Sequence, residues 1–275
     1  MYATPFSLLN GVSLLSQKSR LAKFRDALSR VVRQDSLVID LGSGSGVLAL
    51  LAARMGARRV IAVEINESTA NYARQAARLN GLEQKVEFAV CHFADFYPDE
   101  LADVVVCEML CSMMLVEQQV AASHHAVRHL LRPGGVLLPR RADVYVVPVE
   151  CEDVWRRFKF DTLVFPPMPQ TVGVGEARDL ADPQAVAHLD FISSAHQTVD
   201  ACISFRIAED GVMHGICGMF EAFLDDLTRL DMTDGWRDLF VPLKDPVEVT
   251  AGDSVVIELS YTPGELHTLR LVARR

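Results

Sequence analysis

The sequence lacks paired cysteines, long apolar runs and an excess of basic residues, and each absence excludes a class of protein. Its six cysteines, at positions 91, 107, 111, 151, 202 and 217, form no CxxC motif, which is typical of reduced thiols in the cytosol. The longest apolar stretch, Leu41 to Ala53, contains three glycines and is too short to cross a bilayer. The first twenty residues lack the basic segment of a secretory signal. We therefore expect a cytoplasmic protein without a membrane anchor.

Positive charge is scarce overall and is unevenly distributed. The 275 residues include 27 Lys and Arg against 36 Asp and Glu, for a net charge of -9. Such a balance excludes a protein held on nucleic acid mainly by phosphate contacts. Residues 1–148 carry 16 basic and 14 acidic side chains, whereas residues 149–275 carry 11 and 22. The acidity belongs to the C-terminal half, and a neutral or cationic partner is expected.

The pattern of apolar residues changes once, near Pro139. Before it, short strands that are apolar throughout alternate with amphipathic segments, and helices are predicted over 14–32 and 116–131. This alternation is typical of a parallel sheet covered by helices on both faces. After it, period-2 segments separated by turn residues predict antiparallel strands. We expect an α/β fold, with a Rossmann-like sheet in residues 1–139 and an antiparallel β domain in residues 140–275.

A glycine-rich turn follows the first predicted strand. Gly42, Gly44 and Gly46 alternate with serines after Asp40, and such a turn lets a ligand approach the backbone at a helix N-terminus. Glu64 ends the second predicted strand, where a carboxylate can bind both hydroxyls of a ribose. The turn also satisfies the looser GxGxxA dinucleotide pattern, so an NAD-dependent oxidoreductase is an alternative.

Two glutamates follow the fourth predicted strand. Glu108 lies at the strand's carboxyl end, where open α/β sheets bind ligands. Glu117 comes nine residues later and could also be a solvated acid in the first turn of the next helix. An acid in so apolar a segment has an energetic cost unless it meets a cation or donors. Spacing alone leaves a functional and a structural interpretation open for both.

Several segments resemble known families. The segments VIDLGSGSG and VIAVEIN resemble the first two motifs of class I S-adenosylmethionine-dependent methyltransferases. The segment from Glu108 to Glu117 looks like the double-glutamate loop of protein arginine methyltransferases. Two further segments are similar to that family's passage into its C-terminal barrel and to the barrel strands, LLRPGGVLLPRRADVYVVPVE and WRDLFVPLKDPVEVTAGDSVVIELSY. The resemblance covers nearly the whole chain and implies a divergent, compact member with a β-barrel-like second domain.

The resemblance implies a site that binds S-adenosylmethionine beside a guanidinium group. Glu108 and Glu117 would hold the acceptor guanidinium as the catalytic pair. The implied cofactor-binding residues are Arg20 for the carboxylate, Asp40, Gly42, Gly44 and Gly46 for the methionyl part, Glu64 for the ribose, and His92 and Phe93 beside the adenine. Trp236 would contribute to the substrate pocket, and no metal is expected.

The sequence also departs from the family. Its threonine-histidine-tryptophan loop appears as Asp234-Gly235-Trp236, its tyrosine-rich N-terminal helix is shortened to MYATPF, and Cys111 and Ser112 replace glycine and tyrosine in the double-glutamate loop. These changes are compatible with an acceptor that is a protein or peptide arginine, free arginine or another guanidino molecule. A catalytically inactive binding module with the same fold is a further alternative.

Two features of the C-terminal half suggest interactions. The aromatic-rich segment 151–181 matches the position of the family's dimerisation arm, so a homodimer is expected. Five aspartates cluster in the sequence around Trp236, at positions 225, 226, 231, 234 and 238. They suggest an acidic rim that would attract a cationic, arginine-bearing acceptor.

Overall fold

The computed structural model of the chain describes residues 5–193 and 197–275. Its N-terminal unit contains a five-stranded sheet in the order β3-β2-β1-β4-β5, with every neighbouring pair parallel. The strands are Leu37–Leu41 (β1), Arg59–Glu64 (β2), Val86–Val90 (β3), Ala102–Cys107 (β4) and Leu131–Leu138 (β5). All of β1 is buried, because its side chains face helices on both sides. The strands are added in one direction from β1 to β3 and in the other from β4 to β5, so the order reverses between β1 and β4. Open sheets bind ligands at such a switch point.

Helices surround this sheet. They are Pro5–Ser13 (α1), Lys18–Val31 (α2), Val47–Arg54 (α3), Glu67–Leu79 (α4) and Gln119–His125 (α5). Gly46 precedes α3 with a φ of 78°, a conformation that favours glycine. The side chain of Asn66 caps α4 by accepting the N–H of Thr69. Helices α3 and α4 begin within a few residues of the ends of β1 and β2, so their N-termini lie at the carboxyl edge of the sheet.

The predicted helix over 116–131 is wrong in extent. The α-helix covers Gln119–His125 only, and Ala126–Leu130 form a wider π-helical turn that leads directly into β5. Glu117 therefore lies before the helix and not in its first turn. The polar Gln119 is fully buried because its amide accepts the N–H of Met109 and donates to Ser123.

The C-terminal unit is built from antiparallel strands. A large sheet runs in the order β10-β6-β13-β15-β9, with β11 also pairing β6 and β14 pairing β13, and β12-β16-β17 form a second sheet. The strands are Arg141–Glu150 (β6), Lys159–Phe160 (β7), Leu163–Val164 (β8), Gln170–Val172 (β9), Arg178–Asp179 (β10), Gln184–Asp190 (β11), Val199–Arg206 (β12), Gly211–Phe223 (β13), Arg229–Leu230 (β14), Asp238–Val249 (β15), Ser254–Thr262 (β16) and Glu265–Arg274 (β17). The predicted fold class, a parallel Rossmann-like sheet followed by a barrel-like antiparallel unit, is confirmed.

Segment 151–181 folds back on the large sheet. It begins with the short helix Glu152–Trp155 (α6) and continues through the β7–β8 hairpin. Val154 packs with Val149, Cys217 and Phe240 in a small core of its own. The hairpin itself leaves apolar side chains exposed, including Phe160, Leu163 and Val164.

The described residues were compared with two patterns, a membrane-spanning helix and a cluster of metal ligands. No helix within 5–193 and 197–275 is long and apolar enough to span a bilayer. In the same residues, no three His, Cys, Asp or Glu side chains are arranged to hold a metal ion. His125 and His129 instead contact the Tyr97 ring edge-on, with ring centroids 5.3 Å away in each case.

Candidate functional site

The glycine turn between β1 and α3 is a left-handed backbone segment. Gly42, Gly44 and Gly46 have φ values of 68°, 52° and 78°, which residues with a Cβ rarely adopt. A Cβ at Gly46 would lie 2.9 Å from that of Ala73, so this glycine also lets α4 pack closely. A Cβ at Gly44 would meet only one backbone oxygen, at 3.9 Å. The turn is therefore tight at its ends and open in the middle, where a ligand can approach.

Polar groups around this turn fit an adenosyl amino acid. Both oxygens of Glu64 are oriented by backbone N–H donors, from Gly44 at 3.0 Å and Asn66 at 2.8 Å. Asp40 accepts the N–H of Ala49 at 2.9 Å. A cavity lies beside the turn and is lined by Ser43, Arg20 and Glu108, among others. The Ser43 hydroxyl is buried without a hydrogen-bond partner among the described residues. A buried hydroxyl without a partner is costly, and a polar ligand would remove that cost.

Helix α1 closes the other side of the same cavity. A Cβ at Gly11 would lie 3.7 Å from the Ser45 nitrogen, and Leu14 in the turn after α1 also lines the cavity. Residues 1–4 of the segment MYATPF lie outside the described residues. Helix α1, which follows them, packs over the glycine turn at Gly44 and Ser45.

The first glutamate of the pair is held by a buried arginine. Glu108 follows β4 and lies 3.7 Å from the Arg20 guanidinium, with side-chain exposures of 14% and 4%. The Arg20 guanidinium carbon also lies 3.4 Å from the centroid of the Trp236 ring, a cation–π geometry. Trp236 in turn donates its indole N–H to the Leu110 carbonyl at 2.8 Å. Residues from three distant segments thus converge on the rim of the cavity.

Carboxylates crowd this rim. Burial raises the pKa of Glu108 to about 7; repulsion from Glu117 adds to this effect and the Arg20 charge opposes it. Burial also raises the pKa of Asp40 to about 7, with further repulsion from Glu108 and Glu64. Desolvation raises the pKa of Glu117 as well. Several acids around one arginine make a site that gains from binding added cations.

The remaining sequence-predicted residues lie at the same sheet edge. His92 and Phe93 follow β3, their rings stack with centroids 4.3 Å apart, and His92 accepts the N–H of Ala94 at 3.2 Å. Phe93 also contacts His125 of α5, with centroids 6.1 Å apart. The region expected to flank an adenine is therefore an aromatic surface.

A buried aspartate joins the Trp236 loop to α2. Asp234 accepts hydrogen bonds from Ser19 at 2.5 Å and Lys23 at 2.6 Å, and its backbone carbonyl accepts one from Arg20 at 3.3 Å. Burial opposes ionisation of Asp234, but Lys23 and Ser19 outweigh it and lower its pKa. The sequence did not assign this role, because the partners lie more than 200 positions apart and share no motif.

The aspartates expected to form an acidic rim around Trp236 differ in exposure, since Asp234 is buried and Asp226 is 93% exposed. Four of the five form ion pairs within the chain. The pairs are Asp225 with Arg30, Asp226 with Arg140, Asp231 with Arg229 and Asp234 with Lys23. The fifth, Asp238, is partly buried. The four paired charges serve contacts within the fold. Their clustering in the sequence did not reveal these partners.

Proteins of similar sequence include several named methyltransferases. The family model for the ribosomal protein L11 methyltransferase (PrmA) matches residues 25–144. An arginine N(omega)-methyltransferase of Streptomyces achromogenes is 26% identical over 91% of this chain and 75% of its own length. An uncharacterised protein of Methanocaldococcus jannaschii is 35% identical over 51% of this chain. The chain spans 54% of that archaeal protein and 52% of a probable protein arginine N-methyltransferase 6 of Arabidopsis thaliana, which is 26% identical.

Solved structures share the fold over most of the chain. The enzyme–prozyme complex of Trypanosoma brucei PRMT1, determined with AdoHcy, aligns over 95% of both chains with a TM-score of 0.76 and 18% identity. Protein arginine methyltransferase 10 of Arabidopsis thaliana aligns over 90% of this chain and 85% of its own, with a TM-score of 0.73 and 18% identity. The resemblance to arginine methyltransferases is therefore confirmed in sequence, and the fold is theirs.

Proposed function

We propose that this chain is an S-adenosylmethionine-dependent N-methyltransferase that acts on a guanidino nitrogen. The observation that carries the proposal is the partly buried Glu108, paired with Arg20 at the rim of the glycine-turn cavity. A carboxylate whose pKa is raised to about 7 gains strongly from a cation that arrives beside it. The relatives that include an arginine N(omega)-methyltransferase support the same reaction.

The cofactor would occupy the cavity between the glycine turn and α1. Gly42, Gly44 and Gly46 leave backbone room for its methionyl part, Arg20 would pair with its carboxylate, and the oriented Glu64 oxygens would accept its ribose hydroxyls. Asp40 would face its ammonium, and His92 with Phe93 would flank its adenine. S-adenosylmethionine supplies an electrophilic methyl group on a sulfonium centre.

The two glutamates would act on the acceptor. A guanidinium is planar and stays protonated to above about pH 12. Glu108 would hold its fork of N–H donors in a bidentate manner. Glu117 would draw the positive charge toward the other nitrogens and leave the target nitrogen with more lone-pair character. Both groups work mainly by orientation and by electrostatic alignment.

The acceptor is an arginine-bearing peptide or protein, free arginine, or another small guanidino molecule. The Streptomyces relative is named for arginine itself, whereas the Arabidopsis relatives are named for protein arginine. Four of the five aspartates around Trp236 are paired within the chain. This pairing reduces the negative charge that is free to attract a highly basic peptide, so free arginine belongs in the first panel of acceptors.

The working form would be a cytoplasmic homodimer. The β7–β8 hairpin exposes Phe160, Leu163 and Val164 at 75%, 59% and 73%, and such a patch needs a partner. All six cysteines are free thiols, as a reducing compartment requires. The net charge of -9 argues against nucleic acid as a partner.

Calorimetry and mass spectrometry test the proposal together. S-adenosylhomocysteine should bind the purified chain, and NAD should not; the reverse result would favour the oxidoreductase. Incubation with S-adenosylmethionine and a panel of free arginine, arginine peptides and small guanidines should add 14 Da per transfer to at least one acceptor. Cofactor binding without any product across the panel would instead support an inactive binding module.

A further inference from the structure

The middle of the double-glutamate loop, residues 108–117, has an unusual backbone. Met113 and Met114 have φ values of 61° and 51°, in the left-handed region that residues other than glycine seldom occupy. Two such residues in succession are strained and persist only where their surroundings hold them. The strain lies between the two glutamates, at the point that decides how they are placed relative to each other.

The C-terminal hairpin formed by β16 and β17 holds this backbone. The Tyr261 hydroxyl donates to the Met113 carbonyl at 2.7 Å. The N–H of Gly264, in the turn of the hairpin, donates to the Met114 carbonyl at 2.9 Å. Tyr261 is 3% exposed, so its hydroxyl has a fixed direction. Both strained residues are therefore anchored by one element from the other end of the chain.

Strand β13 makes room for the same turn. The Met113 side chain is fully buried and lies over Gly218, where a Cβ would overlap its Cγ and Sδ atoms. Ser112, which precedes Met113, is anchored too, because its hydroxyl donates to the Arg237 carbonyl at 2.5 Å. The loop is thus held from the C-terminal unit at three successive positions.

The two ends of the loop differ in how they are supported. Glu108 follows β4 directly and has Arg20 as its partner. Glu117 is exposed, and its backbone N–H donates to the Cys111 thiol at 3.2 Å, within the loop itself. The position of Glu117 therefore depends on the conformation of residues 111–116, and so on the contacts that hold Met113 and Met114.

We infer that Tyr261 is a positioning residue that sets the placement of Glu117 relative to Glu108 by anchoring the strained backbone between them. The inference rests on the proposed function, which gives the two glutamates their joint task. A displacement of about 1 Å at a reacting group can lower a rate by about 10²-fold. The Tyr261 hydroxyl need not touch the methyl acceptor, because it can affect methyl transfer through the loop.

Tyr261→Phe tests the inference by removing only the hydroxyl. We expect kcat for methylation of the acceptor found in the panel to fall at least about tenfold, while Kd for S-adenosylhomocysteine stays within about twofold. Hydrogen exchange of the amides in residues 111–117 should become faster. The matched control is Tyr145→Phe, because the Tyr145 hydroxyl donates to Glu221 at 3.4 Å, away from the loop. This variant should leave kcat, Kd and hydrogen exchange unchanged.

The two readouts separate the inference from the proposed function. If wild-type protein methylates no guanidine, the proposed function fails, and hydrogen exchange still decides whether Tyr261 holds the loop. Unchanged exchange in residues 111–117 overturns the inference, as does unchanged kcat in an active enzyme. An equal loss of cofactor affinity and kcat also overturns it, because it indicates general loosening. Gly218→Ala, which pushes on Met113 from the other side, should reproduce the faster exchange.

Discussion

The Arg20 guanidinium carbon lies over the Trp236 ring, 3.4 Å from its centroid, although the two residues belong to different units of the fold. The same guanidinium lies 3.7 Å from Glu108, and both residues line the glycine-turn cavity. A planar, delocalised guanidinium can stack on an aromatic face, and a compact ammonium group lacks that geometry. Arg20 is therefore the point at which the glycine-turn cavity, the glutamate loop and the C-terminal unit meet.

Arg20→Lys should weaken cofactor binding. The lysine keeps a charge but loses the fork and the stacking, so Kd for S-adenosylhomocysteine should rise about tenfold or more, equivalent to about 1.4 kcal/mol. Arg25→Lys is the control, since Arg25 lies on the same helix and pairs with the adjacent Asp26 at the surface. Isothermal titration of both variants checks this, and equal affinities would contradict the assigned role of Arg20.

Glu108→Gln should remove methyl transfer while cofactor binding persists. The amide is nearly isosteric but cannot align with a guanidinium through two anionic oxygens, and a loss on the order of 10²–10³ in kcat is expected. Glu100→Gln, which breaks only an exposed pair with Arg58, is the control for the same chemical change. Full turnover by the Glu108 variant would refute its catalytic role.

Acceptor use should fall at acid pH. Burial raises the pKa of Glu108 to about 7, whereas the guanidinium stays protonated throughout. Protonation of Glu108 in the free enzyme removes the charge that holds the acceptor, so kcat/KM should fall about tenfold per pH unit below about 7. Steady-state rates between pH 5.5 and 9, with circular dichroism as a check on folding, measure it. A flat profile down to pH 5.5 would contradict the shifted pKa.

Asp234→Asn should destabilise the fold. The charged acceptor of Ser19 and Lys23 is lost in a buried position, and such bonds contribute about 1–3 kcal/mol each to the free energy of unfolding. Since Lys23 and Ser19 lower the pKa of Asp234, its contribution is present at neutral pH and is lost as the pH falls through the lowered value. Urea denaturation at pH 7 measures the difference. Asp226→Asn, at an exposed pair with Arg140, should change stability by less than about 0.5 kcal/mol.

Gly235→Ala should be destabilising for two separable reasons. Gly235 has a φ of 106°, which costs about 1–3 kcal/mol for a residue with a Cβ. A Cβ there would also overlap the side chain of Gln17. The double variant with Gln17→Ala should recover the part due to overlap and keep the part due to φ. A double variant as stable as the wild type would show that backbone conformation imposes no cost here.

Sequence reasoning predicted most of the local features of the site. The glycine turn and Glu108 directly follow strands and Glu64 ends one, so the elements and their carboxyl ends could be predicted from short segments. The extent of the helix after Glu117 could not, because the wide turn at Ala126–Leu130 depends on how that helix joins β5. The ion pairs of Asp225, Asp226 and Asp234 could not be predicted either, because their cationic partners come from distant parts of the chain.

The sequence by itself determined the alternation of strands and helices, the glycine turn and the order of the acids along the chain, because each depends on contacts over a few residues. Only the tertiary structure brought Asp234 to Lys23, 211 positions away, and Tyr261 to Met113, 148 positions away. Such contacts depend on how two sheets pack, and no periodicity records that. The order of the two glutamates is thus set by the local sequence, while the backbone between them is held by contacts with the C-terminal unit.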